Sequence, residues 1–405
     1  MTAAVGVLRY LPPLLIWLGL HLWTARTLMV PLTWSRRWRF VVWCAVIVIA
    51  VYPVAAMSIT RISPGHPAEF GLMFSGMTVF GFASVVIALR VAATCAEASM
   101  RAARALRQWV RPHGTPASAS PPDLDRRRFF GKAINAGVLS SAAGVTAVGV
   151  HSAAKIPEVR SVKISIPNLD PALEGMVIAQ LSDIHVGPTI RRPYVQGLVD
   201  SVNSLDADLV AITGDLVDGF VSKLGPELAP LADLNSRLGT FVVTGNHEYY
   251  WRGDEWIEYF AQLKMTVLGN DHRVLQRNNA RFTLAGVHDL HAARHIPSHV
   301  SDPARAADGA PEGLRILLAH QPRSAPEASE TGAYDLQLSG HTHGGQYVPF
   351  QLMVWLAQPY LAGLHRVSDR MQLYVSRGCG YWGPPIRAGA ASEITKIVLT
   401  RAATA

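Results

Sequence analysis

Residues 177–185 of the sequence read VIAQLSDIH, an apolar run that passes directly into a polar cluster containing Asp183 and His185. A continuous apolar run of this length is typical of a β-strand that is buried on both faces, as in a parallel sheet. The same pattern recurs four more times, at residues 209–215, 241–248, 316–320 and 336–343. Stretches long enough for helices separate the first three runs, which predicts βαβ crossovers and an α/β domain.

Each run brings metal-ligating side chains to the carboxyl end of a predicted strand, where open α/β sheets assemble their sites. These side chains are Asp183, His185, Asp215, Asn246, His320, His341 and His343. Carboxylate, imidazole and amide groups suit divalent metals such as Mn, Fe or Zn, and the lack of thiolates argues against a structural zinc site. Seven ligands are too many for one catalytic metal but natural for two metals that share a carboxylate.

The ordered motifs are similar to those of a known family. Asp183-x-His185, Gly214-Asp215, Gly245-Asn246-His247-Glu248, His320 and Gly340-His341-x-His343 resemble, in the same order, the calcineurin-like metallophosphoesterase family. One such motif occurs by chance in most chains, but five in order, each after an apolar run, are specific. Residues 374–387, YVSRGCGYWGPPIR, look like the C-terminal motif of the bacterial membrane-associated branch, which includes members exported by the twin-arginine route.

The resemblance, which covers roughly residues 175–345, implies a four-layer αββα sandwich and two divalent metal ions. Asp183, His185 and His343 would hold one ion, Asn246, His320 and His341 the other, and Asp215 would bridge them. Two metals about 3.5–4 Å apart hold a bridging water, lower its pKa and clamp both oxygens of an in-line displacement. Glycines at 340, 344 and 345 permit the turn that lets both histidines of the last motif reach a metal.

Two further residues receive catalytic roles from the resemblance. His247 follows a ligand without being one, and would act as general acid or stabilise charge in the transition state. Asp218 matches the family carboxylate that keeps this imidazolium protonated and oriented. Gly219 stands where phosphoprotein phosphatases carry a phosphate-gripping Arg, which argues against protein-phosphatase activity.

Other side chains near these motifs are open to more than one interpretation. Arg377 and Arg387 are candidates for holding a phosphate or an acidic head group. The aromatic side chains that follow Asn246 either form an apolar wall for a substrate, rest against a membrane or pack in the interior; they are Tyr249, Tyr250, Trp251 and Trp256.

Charge and hydropathy divide the chain in two. Residues 1–155 contain 16 Lys and Arg against 4 Asp and Glu, a net charge of +12, whereas residues 156–405 contain 21 against 25, a net charge of −4. The acidic balance of the second part argues against nucleic-acid binding. Four uncharged apolar stretches in the first part predict about four transmembrane helices, at 10–25, 40–60, 70–89 and 133–154.

These patterns predict three regions. An all-α transmembrane region with three helices spans residues 1–111. Residues 112–155 hold a linker rich in Pro, Ser and Ala at 112–122, a twin-arginine-like segment and the fourth apolar stretch. The metallophosphoesterase domain occupies residues 156–405.

Lys and Arg cluster in the first and third loops of the predicted transmembrane region, while the second loop holds only Arg61. The positive-inside rule then places residues 156–405 on the extracytoplasmic side of the bacterial cytoplasmic membrane, with the chain crossing it several times. Residues 126–130 read RRRFF before a mildly apolar stretch, which resembles a twin-arginine export signal and would make the twin-arginine export machinery a partner. The alternative is an anchor that merely contains three arginines.

The expected function is hydrolysis of a phosphate ester by a metal-bridging hydroxide at the outer face of the membrane. One alternative is a phosphodiesterase or pyrophosphatase that acts on a lipid-linked substrate, which the membrane anchor favours. Another is a catalytically silent membrane scaffold, against which the intact ligand set argues. Transport is disfavoured because the apolar stretches contain no carboxylate or Lys that would line a path.

Overall fold

The computed structural model describes residues 2–62, 66–110 and 124–402. The predicted linker at 112–122 lies outside the described residues. The chain divides into two compact units, Met1–Val150 and His151–Ala405.

Four long helices precede the sheets: α1 (Thr2–Met29), α2 (Arg36–Ile62), α3 (Glu69–Val110) and α4 (Leu124–Ala154). Three candidate membrane spans, at Arg36–Thr60, Glu69–Arg107 and Leu124–Ala154, coincide with the second, third and fourth predicted stretches. Their 25, 39 and 31 residues exceed the ~20 that a bilayer requires. The first predicted stretch lies in α1, which contains Pro12 and Pro13 and is not among the spans found in the described part of the chain.

The second unit contains two six-stranded sheets. The first has the order β1-β12-β2-β3-β4-β5, and the second β10-β11-β9-β8-β7-β6. The strands of the first are β1 (Glu158–Ile166), β2 (Val177–Leu181), β3 (Leu209–Ile212), β4 (Thr240–Val242), β5 (Thr266–Val267) and β12 (Glu393–Arg401). Those of the second are β6 (Asp271–Arg277), β7 (Ala280–Gly286), β8 (Arg315–Leu318), β9 (Leu336–Ser339), β10 (Gly363–Arg366) and β11 (Gln372–Val375).

Seven helices connect these strands: α5 (Arg192–Asn203), α6 (Val221–Leu228), α7 (Asn246–Tyr250), α8 (Gly253–Gln262), α9 (Pro303–Ala307), α10 (Ala325–Glu330) and α11 (Phe350–Ala357). The amphipathic helices α5, α6 and α8 pack on the outer face of the first sheet, through buried side chains such as Leu198, Leu228 and Phe260. Small residues of α9 and α10, Ala306 and Ala328, pack on the outer face of the second sheet.

The inner faces of the two sheets form the central core. Ile178 and Leu209 of the first sheet pack with Leu284, Leu318 and Leu338 of the second, and all five are fully buried. The runs recognised in the sequence are buried on both faces because each sheet carries helices on its other side. The layers are therefore helix, sheet, sheet and helix, which confirms the predicted αββα sandwich.

Candidate metal centre

The seven predicted ligands follow strands whose carboxyl ends meet at one edge of the sandwich. β2, β3 and β4 run parallel, as do β8 and β9. Polar contacts join the two sheets at this edge: Nε2 of Gln180 donates to the carbonyl of Ser339 at 3.0 Å, and Nδ1 of His320 lies 2.7 Å from the carbonyl oxygen of Thr213. The loops that follow both sets of strands therefore converge.

Most of these ligand residues have a left-handed backbone conformation, which sets the direction of their side chains. Positive φ angles of 53° to 72° occur at Asp183, His185, Asp215, His341 and His343. Such angles are uncommon for residues other than glycine, and they persist where the surrounding structure enforces them. They end the strand alternation, so that His341 and His343 both turn towards the same edge.

Asp183, His185 and His343 form a buried group, called here the first cluster. Nε2 of His185 lies 3.0 Å from Nε2 of His343, which in turn lies 3.5 Å from Oδ1 of Asp183. One donor atom from each residue lies within 4.8 Å of the others. Two imidazole nitrogens and a carboxylate oxygen that face one point suit a divalent transition metal.

His320 and His341 lie together with Asp215. With Asn246, which the family resemblance adds as a ligand, they are called here the second cluster. Nε2 of His320 lies 3.2 Å from Nδ1 of His341 and 3.1 Å from Oδ2 of Asp215. The same carboxylate oxygen lies 3.9 Å from Nε2 of His185 in the first cluster. Asp215 thus stands between the two clusters.

The environment of the Asn246 side chain indicates whether these residues fit metal ions. Its side chain is buried, and its Oδ1 has no hydrogen-bond partner. A buried acceptor without a partner costs about 1–3 kcal/mol, and a cation at this position would satisfy it. The donor set therefore fits two divalent ions, with Asp215 shared between them.

The pKa shifts of two histidines suit metal binding, whereas at His320 the charge of Asp215 outweighs burial and raises the pKa well above its usual value, so that an ion there must displace a proton. Burial and the charge of His320 lower the pKa of His341 to about 3, and burial together with Arg387 holds the pKa of His343 well below its usual value. Both imidazoles are then neutral and present a lone pair. Burial raises the pKa of Asp215, but the charges of His320 and His247 outweigh it and hold the pKa well below the usual range.

His247 and Asp218 form an ion pair beside the clusters. Nδ1 of His247 lies 2.5 Å from Oδ1 of Asp218, and its Nε2 lies 3.9 Å from Oδ2 of Asp215. Burial lowers the pKa of His247, but the charges of Asp215 and Asp218 raise it to about 9. His247 is therefore a cation at neutral pH and can donate a proton towards the clusters.

Glu248 has a role that its place in the Gly245-Asn246-His247-Glu248 motif did not reveal. Its carboxylate accepts hydrogen bonds from the main-chain nitrogens of Gly245 at 2.6 Å, Asp215 at 3.0 Å and Leu216 at 2.7 Å. The side chain is fully buried. Glu248 therefore ties together the two loops that carry Asp215 and Asn246, an effect that only the tertiary structure reveals.

At two motif glycines there is no room for a larger side chain. A Cβ at Gly245 would collide with the carboxylate of Asp215, and one at Gly340 would collide with Oγ of Ser182 and the carboxylate of Asp183. Close approach of two loops, and not turn geometry alone, explains these glycines.

The expectation that Arg387 holds a phosphate is wrong. Its side chain is 2% exposed. Its Nη1 donates to the carbonyls of His343 and Arg377 at 2.8 Å each, its Nε donates to the carbonyl of Gly380 at 2.9 Å, and its Nη2 lies 3.0 Å from Nδ1 of His343. Arg387 is thus used up in holding the loop of His343. Arg377 pairs with Glu393 at 3.1 Å.

The aromatic side chains after Asn246 divide between core and rim. Trp256 and Tyr249 are buried, whereas Tyr250 is 50% exposed and its ring centroid lies 5.1 Å from that of His247. The ring centroid of Trp382, from the C-terminal motif, lies 5.7 Å from that of His247, and Trp382 is 45% exposed. Two partly exposed aromatic rings therefore contact His247, which is itself buried.

Comparison with known proteins gives a consistent picture. Residues 176–345 match the family model described as calcineurin-like phosphoesterase. The chain is 41% identical over 261 residues to a transmembrane protein with metallophosphoesterase domain from Danio rerio, covering 63% of this chain and 60% of that protein. It is 40% identical over 252 residues to a metallophosphoesterase of Helicobacter pylori, covering 62% of this chain and 66% of that protein.

A metallophosphoesterase of Aquifex aeolicus is 32% identical over 213 residues, which cover 52% of this chain and 79% of that protein. By contrast, the matches cover only about 60% of the length of the animal relatives. The similarity includes the sheets and loops that carry both clusters, since the family match begins at β2 and ends just after His343. The chain belongs to the calcineurin-like metallophosphoesterase family.

Proposed function

We propose that the protein is a membrane-anchored phosphoesterase that hydrolyses phosphate esters with two divalent metal ions. The carrying observation is that one carboxylate oxygen, Oδ2 of Asp215, faces His320 at 3.1 Å and His185 at 3.9 Å. Bound ions, drawn from Mn, Fe or Zn, would supply Lewis acidity to the phosphate and lower the pKa of a water molecule. The ligands are the three residues of each cluster, with Asp215 shared.

The residues beside the clusters supply the proton chemistry. His247, cationic at neutral pH, lies outside both ligand sets and donates its Nε2 proton to the leaving oxygen. Asp218 holds the opposite nitrogen, which fixes the ring orientation and keeps the proton on Nε2. Ester hydrolysis needs such a donor when the leaving group is a poor one.

A catalytically silent scaffold is the weaker candidate. A chain selected only for binding has no reason to keep an unpartnered amide oxygen at Asn246, or five ligand residues in left-handed backbone. Both features cost stability, and metal binding offsets the first of them.

The catalytic unit is proposed to work on the extracytoplasmic side of a bacterial inner membrane. Support comes from the Lys and Arg of the first and third loops and from the three candidate spans. The arginines at 126–128 serve either the twin-arginine export machinery or simple anchoring. We also propose that the transmembrane region ends at residue 111 and that the metallophosphoesterase domain begins after residue 155.

The test of activity uses the full chain purified in detergent and loaded with Mn. Hydrolysis of 4-nitrophenyl phosphate, bis(4-nitrophenyl) phosphate and phospholipids is measured beside an Asp183→Asn variant that lacks a first-cluster ligand. Activity on at least one ester, lost in the variant and in the presence of a chelator, supports the proposal. No activity on any ester with both ions bound contradicts it.

The test of topology uses periplasmic reporter fusions. A reporter fused after Lys155 is expected to be active and one fused after Arg111 inactive; the reverse pattern puts the catalytic unit in the cytoplasm. Replacing Arg126 and Arg127 with Lys keeps the charge but is poorly read by a twin-arginine receptor. Unchanged translocation would identify these arginines as anchors only.

A further inference from the structure

The segment that follows the last metal motif carries an apolar surface. No Asp, Glu, Lys or Arg occurs in residues 336–365. Within it, α11 exposes large apolar side chains to the extent of 59–72%, and none of its residues is buried. We define the apolar surface as Val348, Leu352, Met353, Trp355, Leu356 and Leu364. A helix that faces water normally turns a polar face outward, so this surface indicates contact with something apolar.

Polar contacts at the C-terminal end of α11 and just beyond it hold the helix in place. Nη2 of Arg323 donates to the carbonyl of Ala357 at 2.7 Å at the end of the helix. Oγ1 of Thr342, within the last metal motif, donates to the carbonyl of Leu361 at 2.6 Å. The exposure of the apolar surface is therefore a feature of the folded domain, and its position is fixed relative to the metal clusters.

Aromatic rings connect the apolar surface to the proposed general acid. The ring of Phe350, the first residue of α11, lies 6.5 Å from that of Trp382, and Trp382 lies 5.7 Å from His247. A substrate with its phosphate at the clusters thus finds aromatic side chains leading outward to α11. Such a path suits a substrate whose leaving group or remainder is apolar.

The polypeptide enters the domain at the same edge of the sandwich. β1 begins with Glu158 opposite Glu393 of β12, and β12 is antiparallel to β2. β1 therefore begins beside the end of β2, the strand that Asp183 follows. Just before β1, the carbonyl of Lys155 accepts a hydrogen bond at 3.2 Å from the hydroxyl of Tyr194.

The entry point matters because a candidate membrane span, Leu124–Ala154, ends immediately before Lys155. Tyr194 also donates to the carbonyl of Cys379 at 2.8 Å, so the entering chain is fastened beside the C-terminal motif that supplies Trp382. The chain thus passes from the candidate span into the domain at the metal edge with few residues between, and extended chain adds only about 3.3–3.6 Å per residue.

We propose that the apolar surface inserts into the lipid bilayer in which the chain is anchored, and that the metal site takes phosphate esters carried by lipids of that bilayer. A bilayer is a better occupant than a protein partner because the chain enters the domain at this edge directly after a candidate membrane span. Trp355 and Trp382 are also side chains that favour the membrane interface. The substrate class rests on the proposed phosphoesterase function, whereas the insertion does not.

Insertion is tested by labelling the full chain at single sites. Cys44 and Cys95 are replaced with Ser, and Cys379 is buried. An environment-sensitive fluorophore is attached in Leu356→Cys or in the control Val274→Cys, on β6, where the native side chain is apolar, 44% exposed and outside the apolar surface. The protein is reconstituted into vesicles of phosphatidylethanolamine and phosphatidylglycerol.

The label at 356 is expected to be quenched by nitroxide lipids and protected from aqueous iodide, and the label at 274 to behave in the opposite way. Equal iodide quenching at both sites overturns the insertion. Protection of position 356 without lipid quenching also overturns it, because protein, including a second copy, then covers the surface.

The substrate class is tested with matched head groups. Dioleoyl phosphatidate in these vesicles is compared with water-soluble dihexanoyl phosphatidate, and phosphatidylglycerol with its dihexanoyl counterpart. At least one long-chain ester is expected to exceed its short-chain partner in kcat/KM by about tenfold or more. Hydrolysis without preference in either pair overturns the lipid substrate.

Leu352→Asp with Leu356→Asp is expected to remove this preference while leaving hydrolysis of 4-nitrophenyl phosphate within about twofold. Val274→Asp leaves both unchanged. An equal loss on all substrates overturns the link between the apolar surface and lipid selection. If the wild type hydrolyses no ester while the label at 356 lies in the bilayer, the proposed function fails and the insertion stands.

Discussion

The two ligand clusters face one carboxylate but are held by different kinds of groups. Side chains brace the first cluster: Oδ2 of Asp218 lies 3.3 Å from Nδ1 of His185, and Arg387 contacts both the carbonyl and Nδ1 of His343. Asp218 comes from the loop that also carries Asp215, and Arg387 from the C-terminal motif. A single side-chain substitution can therefore loosen the first cluster.

The second cluster is braced through main-chain groups, to which the Glu248 side chain also binds. Nδ1 of His320 contacts the Thr213 carbonyl at 2.7 Å, and Glu248 fixes the loop of Asn246 through main-chain nitrogens. Its third member, His341, is less buried than either histidine of the first cluster. We therefore expect an ion bound at the second cluster to exchange with solvent more readily, and an ion at the first cluster to depend more on Arg387.

The largest effect is expected from a substitution that weakens metal binding at both clusters. Asp215→Asn should weaken both sites, because the lost charge faces His185 and His320 alike. We expect activity at background and fewer than two ions per chain by elemental analysis. Asp233→Asn, at an exposed carboxylate, is the control and should keep both ions. A wild type that holds one ion at saturating metal would remove the shared-carboxylate arrangement.

The next effect separates a ligand from a proton donor. His247→Ala should keep both ions and bind substrate, while kcat falls on the order of 10²–10⁴-fold, as for loss of a general acid. His320→Ala should instead lose an ion and recover partly with excess Mn. Activity and metal content, measured together on both variants, distinguish the two roles.

The leaving group provides the control for this pair. Nitrophenolate departs without needing a proton, so the loss in His247→Ala should shrink on 4-nitrophenyl esters compared with alkyl esters. If His247→Ala loses an ion, or slows both kinds of ester equally, then the residue is a ligand or a charge stabiliser.

A smaller effect tests whether remote side chains hold the first cluster. Arg387→Gln should leave buried carbonyls without donors, each costing about 1–3 kcal/mol, and so lower the Tm. Metal affinity of the first cluster should fall about 10–100-fold, with the second cluster nearly unchanged. Competition titrations with a chelator resolve the two affinities. A uniform loss from both clusters would contradict the difference in bracing.

The smallest effect is a displacement of the pH profile in Asp218→Asn. Activity that needs protonated His247 falls as pH rises through the His247 pKa, which Asp215 and Asp218 raise to about 9 despite burial. Loss of the Asp218 charge lowers this pKa, so the alkaline limb should move to lower pH. Bound cations lower the pKa in both proteins, so the difference between the two kcat profiles is the measurement. An unmoved limb would exclude His247 as the titrating acid.

The sequence predicted which residues follow the carboxyl end of each strand. Buried strands give continuous apolar runs, and ligands follow those runs directly, so Asp183 or His320 can be located without any structure. The four-layer arrangement came from the family resemblance alone, because runs of this kind do not reveal how sheets stack. The metal-binding and catalytic roles of the site residues stay predictions, although the structure brings the residues together.

What the sequence could not reveal depends on distant contacts. Arg387 was a candidate for binding a phosphate, but three main-chain carbonyls and one imidazole nitrogen converge on it in the fold. Glu248 is close to Asn246 in sequence, but its carboxylate also binds the main chain of the loop that carries Asp215. The apolar surface on α11 resembles an ordinary core segment until its exposure is measured.

The order of strands in the first sheet has a consequence for biosynthesis. β1 and β2 are successive in the chain, yet β12 lies between them, paired with β1 over nine residues from Glu158 to Ile166. The ribosome makes β12 only after every other strand of the domain. Until β12 has been synthesised, β1 has no partner strand and the edge of β2 stays open. The first sheet therefore cannot close before β12 is made, and a chain truncated before Glu393 would expose two unpaired strand edges to aggregation and proteolysis.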